Sequence, residues 1–119
     1  VTLVHGDFPY DKSVRETREG FPIDGITKRN LKNISFQQVM EGKYRSASGE
    51  RSGLMSAGNY LLVVHGVGGT VSEAAAEAYK VAWQIKLPSN LMFRTDIGTR
   101  LEEDLPRLHK QGYAKGMEY

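Results

Sequence analysis

The chain has 119 residues, 39% hydrophobic, 9% aromatic and 25% charged, which fits one folded domain and argues against a disordered tail. A chain of this size buries roughly two thirds of its unfolded surface, and the lack of cysteine excludes disulfide frameworks, cysteine-ligated zinc, iron-sulfur clusters and thiol nucleophiles. With 16 Lys plus Arg against 14 Asp plus Glu, the net charge of +2 is too balanced for a general nucleic-acid binder.

The chain enters directly on the apolar run Val1-Thr2-Leu3-Val4, a predicted strand, and opens on Val rather than Met, which suggests a piece of a longer polypeptide. The run ends at Gly6-Asp7-Phe8-Pro9-Tyr10, where Gly permits unusual backbone angles and Pro blocks a central strand. Between Lys12 and Lys32, Gly20, Pro22 and Gly25 interrupt a mixed-charge stretch, predicting short strands and turns.

Alternation predicts a second strand over Ile34 to Met40, with Ile34 and Phe36 on one face. The polar stretch Glu41 to Gly53 suits an exposed hairpin or mobile loop. Gly58-Asn59 then reads as a hairpin turn into Tyr60-Leu61-Leu62-Val63-Val64, since both residue types tolerate positive φ.

In Gly68-Gly69-Thr70-Val71-Ser72-Glu73, Thr70 is a predicted N-cap and Glu73 its reciprocal partner. Val71, Ala74, Ala75, Ala78, Val81, Ala82 and Ile85 give a small-residue face, leaving Glu73, Glu77 and Lys80 for the wet side. Pro88 and Asn90 close that segment. Leu101, Leu105 and Leu108 predict a short terminal helix that Pro106 limits, followed by a frayed tail from Ala114 to Tyr119. The expected fold is α+β, with a small antiparallel sheet, one main helix and a short terminal helix.

No apolar run approaches the ~20 residues that span a bilayer, and no secretory signal opens the chain, so a soluble protein is expected. His5, His65 and His109 are far apart and form no metal-ligand spacing. There is neither a G-x-S-x-G elbow nor a Walker loop. The glycines of Gly66-Val67-Gly68-Gly69-Thr70 could offer backbone N–H groups to phosphate, though a strand-to-helix connection needs flexible residues anyway. In Phe93-Arg94-Thr95-Asp96-Ile97-Gly98, Arg94 and Asp96 would share a face if extended, as a substrate brace or an internal ion pair. Nothing here supplies a nucleophile, a general base or a metal.

Several landmarks, taken in order, resemble the C-terminal domain of the phosphoribosylamine-glycine ligases. Gly6-Asp7-Phe8-Pro9 stands where that family has G-G-Y-P-G, and Glu19-Gly20-Phe21-Pro22-Ile23-Asp24-Gly25-Ile26 loosely matches K-G-x-x-I-x-G-L. Ser56-Ala57-Gly58-Asn59-Tyr60-Leu61 resembles S-G-G-R-V-L, Gly68-Gly69-Thr70-Val71-Ser72-Glu73-Ala74 resembles G-D-T-x-E-E-A, and Phe93 to Gly98 resembles Y-R-x-D-I-G. The match covers Val1 to about Arg100 of a single domain, leaving 101–119 as terminal helix and tail.

The resemblance implies a rudiment single hybrid motif packed against the N-terminal and ATP-grasp domains of a cytoplasmic ligase of purine biosynthesis. ATP and Mg2+ would bind mainly outside this chain. Phosphoribosylamine and glycine would be the substrates, with no nucleic acid or membrane partner. This domain would form a wall of the substrate cleft, through Gly6, Phe8, Pro9, Gly58, Asn59, Arg94 and Asp96, with no catalytic residue of its own. Two positions depart from the family. Asn59 replaces an Arg that reaches phosphate, so another cation, such as Lys28 or Lys43, would have to substitute. Asp7 replaces a glycine and would repel phosphate unless neutralised. A stand-alone interaction module of the same fold is the alternative. A basic RNA-binding surface over Lys12 to Lys32, with Phe21 for stacking, has few aromatics to support it.

Overall fold

Alternation in the opening run produces strand β1 (Thr2–His5), which buries Leu3 and His5 and leaves Thr2 exposed. The computed structural model describes residues 1–6, 8–9, 18–88 and 90–119, so the Asp7 change and the basic positions Lys12 and Arg15 lie outside it. Among the described residues the remaining strands are β2 (Glu19–Pro22), β3 (Ile34–Phe36), β4 (Val39–Ser46), β5 (Gly49–Ala57), β6 (Tyr60–Val64) and β7 (Leu91–Met92). Among the described residues, α-helix α1 (Val71–Ala82) lies between β6 and β7, and α-helix α2 (Leu101–Lys110) follows β7.

The strands divide between two antiparallel sheets, ordered β3-β6-β1-β7 and β2-β5-β4. The α+β expectation holds, with two sheets in place of one. The core lies between the first sheet and α1, where Leu3, Leu61, Leu62, Val64, Ala78, Val81 and Ala82 form one buried cluster with Ile23, Ile34 and Ile85. Small side chains on α1 permit that close approach. Gly66 belongs to the same fit, because a Cβ there would meet the Ala74 carbonyl and the Ala78 amide of the helix backbone.

Four expectations are corrected. The predicted strand over Ile34 to Met40 is two strands, because Gln37 and Gln38 carry the chain from one sheet to the other. Their amides donate to Leu61 and Tyr60 of β6, at 3.0 and 2.9 Å, while the Gln38 carbonyl accepts from Ala57 of β5 at 2.8 Å. Gly58-Asn59 is likewise a corner between sheets and not a hairpin turn, since β5 and β6 belong to different sheets. Neither residue has positive φ. What Gly58 provides is space, as a Cβ there would meet the Gln38 side chain.

Pro106 does not end α2, which continues to Lys110. The ring removes one backbone donor, but Leu105 beside it is only 2% exposed and the Arg100–Asp104 pair at 2.8 Å fastens the first turn. The tail is tied down rather than frayed: the Glu118 carbonyl accepts from the Val71 amide at 2.8 Å, and the Ala114 carbonyl meets His109 Nε2 at 3.0 Å.

The stretch expected as hairpin or loop is a regular ribbon, with eight residue pairs from Val39–Ser56 to Ser46–Gly49. Gly49 turns its tip at φ 110°, a conformation that side chains resist. The described residues measure 58 × 36 × 18 Å.

Candidate functional site

The register of β1 brings the two ends of the sequence motif together. Beyond a bulge after Leu3, Val4 pairs with Tyr60, and the His5 amide donates to the Asn59 carbonyl at 2.8 Å. The loop after β1 therefore lies against the corner at residues 58–60. A cleft of about 360 Å3 opens there. Phe8 and Tyr60 form one wall as an edge-to-face pair, ring centroids 4.7 Å apart. Gly58, Asn59 and Gln38 line the base, where Gln38 Oε1 accepts from the Tyr60 amide at 2.8 Å. Arg18 and Glu19, where the chain enters β2, complete it.

Of the residues expected to bind substrate, Phe8, Gly58 and Asn59 line this cleft. Gly6 lies behind Arg18: a Cβ on Gly6 would stand 2.6 to 2.8 Å from Nη1, Cζ and Nη2 of that guanidinium. Pro9 is exposed beside Phe8. Arg94 and Asp96 do not line the cleft. They join each other in a two-pronged ion pair, Nε to Oδ1 at 2.8 Å and Nη2 to Oδ2 at 2.7 Å. That bonding raises the Arg94 pKa and lowers that of Asp96. The Tyr79 hydroxyl fastens the same turn to α1, donating to the Arg94 carbonyl at 3.0 Å and accepting from the Ile97 amide at 2.9 Å.

Lys43 and Lys28, the cations considered for the missing Arg, are elsewhere. Lys43 pairs with Glu50 across the ribbon at 3.3 Å, and Lys28 is exposed in a turn. Arg18 is the cation that sequence reading missed. Its signal was its place immediately before the Glu19 to Ile26 segment, in the mixed-charge stretch between Lys12 and Lys32. A larger concavity of about 440 Å3 lies on the ribbon between Glu41, Lys43 and Leu54, but it has no aromatic wall.

The glycine-rich entry to α1 is occupied by the chain itself. Thr70 caps the helix as expected, its Oγ1 accepting from the Glu73 amide at 3.2 Å. Glu73 reaches back to the Gly69 amide at 2.8 Å, one residue earlier than a reciprocal capping box would place it. Glu77 accepts from the Val67 amide at 2.8 Å and from Asn33 Nδ2 at 3.1 Å, so it is not left to solvent as expected. Those bonds lower its pKa, that from Val67 most. With Val71 donating to Glu118, three amides of this entry already have acceptors, and the carboxylates of Glu73 and Glu77 beside it oppose a phosphate.

Beneath the cleft, His5 is 1% exposed and sits edge-on to Phe21, centroids 4.6 Å apart. Among the described residues neither ring nitrogen has a well-formed hydrogen bond. Burial lowers its pKa, the Arg18 charge adds to that, and the Arg18 backbone partly opposes it. His65 and His109 sit instead on the Lys32 and Ala114 carbonyls, each at 3.0 Å. No group of three His, Asp or Glu side chains suited to a metal gathers among the described residues. Among these residues, too, no helix is long and apolar enough to cross a membrane.

In comparisons with known proteins, no family model and no curated sequence matches the chain.

Proposed function

We propose that the chain is the C-terminal domain of a phosphoribosylamine-glycine ligase and forms one wall of its substrate cleft. The observation that carries this reading is the meeting of Phe8, from the first motif segment, with Gly58-Asn59 at one concave site although fifty positions separate Phe8 from Gly58. In such a ligase ATP activates glycine as an acyl phosphate, and the amine of phosphoribosylamine attacks it, releasing phosphate and leaving ADP. In the resembled family ATP and Mg2+ are held mainly by the ATP-grasp portion, and this chain's part is to bind and orient substrate. Arg94 and Asp96 contribute by bracing the turn that docks on α1. The partners are the N-terminal and ATP-grasp domains of the same polypeptide, in the cytoplasm, without nucleic acid or membrane.

Two measurements test the reading. Incubated with ATP, Mg2+ and glycine, the 119-residue chain should not hydrolyse ATP, and robust turnover would contradict an apparatus housed elsewhere. The reading frame upstream of Val1 should encode a glycine-rich ATP-grasp region, and a frame without one overturns the assignment. Asn59, in place of the resembled family's Arg, favours the second reading, a module of the same fold that binds no substrate. Under that reading ribose 5-phosphate leaves the amides of Gly58 to Tyr60 unmoved.

A further inference from the structure

We infer that the open edge of β4 pairs antiparallel with β4 of a second copy of this chain, about a two-fold axis at Gly42, joining two three-stranded sheets into one of six strands. The pairing is independent of what the cleft beside Gly58 binds.

Among the described residues β4 is the outer strand of its sheet, with β5 on one side and no strand on the other. It is eight residues long and keeps unbroken register with β5, so it has neither the proline nor the bulge that blunts many exposed edges. The ladder fixes which of its groups face outward. The Ala57 amide donates to the Gln38 carbonyl at 2.8 Å, and the register then runs without a shift from Val39–Ser56 to Ser46–Gly49. Bonded and non-bonded pairs alternate along an antiparallel ladder. Met40, Gly42, Tyr44 and Ser46 therefore bond to β5, while Val39, Glu41, Lys43 and Arg45 turn their N–H and C=O groups to the open side.

Charge then selects one register. A second β4 can bond only where outward residues meet outward residues, and the residue on a two-fold axis faces its own copy. An axis at Lys43 would bring two ammonium groups together, and an axis at Glu41 two carboxylates. An axis at Met40 or Tyr44 gives Glu41 no cation. At Gly42 every requirement is met: Glu41 stands opposite Lys43 of the second copy, Lys43 opposite its Glu41, and Val39 opposite its Arg45. The two Gly42 residues form a non-bonded pair, in which Cα atoms approach to about 4.5 Å, and neither has a side chain to crowd the other. On the opposite face Met40, 36% exposed, stands across from Tyr44. Lys43 is 3.3 Å from Glu50 of its own ribbon and mostly exposed, so in the dimer it lies between two carboxylates. Edge charges of this kind discourage indiscriminate pairing, and here they leave a self-complementary arrangement open.

The test combines sedimentation equilibrium of the 119-residue chain with amide hydrogen exchange. Monomer should give way to dimer as concentration rises. In the dimer the amides of Glu41, Lys43 and Arg45 should gain protection, while those of Gly42 and Tyr44, already bonded to β5, should change little. Glu41→Lys turns both ion pairs into repulsions and should weaken association by about tenfold or more. Lys43→Glu should do the same. Mixing these two single variants, or combining them in one chain, restores opposite charges across the axis and should recover the dimer, a rescue that misfolding cannot imitate. Unchanged amides at Leu61, Val64 and Ala82 certify that each variant is folded. A chain still monomeric at about 1 mM overturns the inference. A dimer that ignores the charge changes, or that protects amides elsewhere and not the outward set of β4, overturns it as well.

Discussion

The sheet beneath α1 buries Leu3, Leu61, Leu62 and Val64 completely, whereas the ribbon of β4 and β5 leaves Gly49 to Ser52 exposed and buries side chains only near its base, at Met55 and Ser56. Both are antiparallel ladders with regular hydrogen bonding. The difference lies in what each ladder rests on. The first sheet derives its stability from apolar surface withdrawn from water, which for one fully buried Leu amounts to about 1.5–3 kcal/mol. The outer ribbon has little beyond its own ladder and cross-strand pairs such as Lys43–Glu50, both of whose side chains are more than half exposed. The cleft lies where the two meet, at the Gln37-Gln38 and Gly58-Asn59 crossings. One side is therefore anchored in the core, through β1 and β6, and the other belongs to the less supported sheet, through β2.

This contrast can be broken by mutation. Leu61→Ala should cost about 2–5 kcal/mol in urea denaturation, the range for truncating a buried leucine, while Arg51→Ala on the ribbon should stay within about 0.5 kcal/mol. Similar losses at both positions would erase the distinction between the sheets. Gly66→Ala comes next, at about 1–3 kcal/mol, because its Cβ would strike helix backbone that cannot move aside. Gly58→Ala meets only the Gln38 side chain and should cost less. Thr70→Ala removes the α1 cap and should cost about 1 kcal/mol. Hydrogen exchange sharpens the same comparison without mutation: amides from Tyr44 to Arg51 should exchange well before those of Leu62 to Val64.

How far the fold was legible in the sequence follows the same division. Elements whose signals are local came through: β1 from its apolar run, α1 from Thr70 and the alanine spacing, the ribbon from its polar Gly and Ser residues. What the sequence concealed was which strand pairs with which. Gln37-Gln38 and Gly58-Asn59 are corners only because β3 and β6 share one sheet while β4 and β5 share the other, and no local pattern encodes that partition. Pro106 misled for a related reason: a burial contact at Leu105 outweighs a local preference. The site was half legible. Motif order pointed to Gly6, Phe8, Gly58 and Asn59, but Arg18 gains its meaning from the space above Gly6, a through-space relation. Arg94 and Asp96 were legible as a pair, and their distance from the cleft was not.

The seam also holds the feature with the smallest effect at neutral pH, the buried ring of His5. Its unfolded form titrates near the ordinary value of 6.5, and burial together with the Arg18 charge moves the folded form below that. Between the two values the unfolded chain binds more protons, so stability is fully present above about pH 6.5 and is lost as pH falls toward the folded value. Glu77 acts in the same direction but in a lower window, below its ordinary 4.5, because the Val67 and Asn33 bonds favour its charged form. Unfolding midpoints measured from about pH 8 to about pH 5 span the His5 window together with that of the Val1 amine, whose pKa burial also lowers from 8.0, and a variant at His5 separates the two. The parent chain should lose stability across that range, and His5→Phe, which retains a flat ring against Phe21, should lose much less. An equal slope in both proteins would mean that some other group carries the acid response. A reduced slope would place the protonation at the seam, where β1 and β2 approach each other beside Arg18.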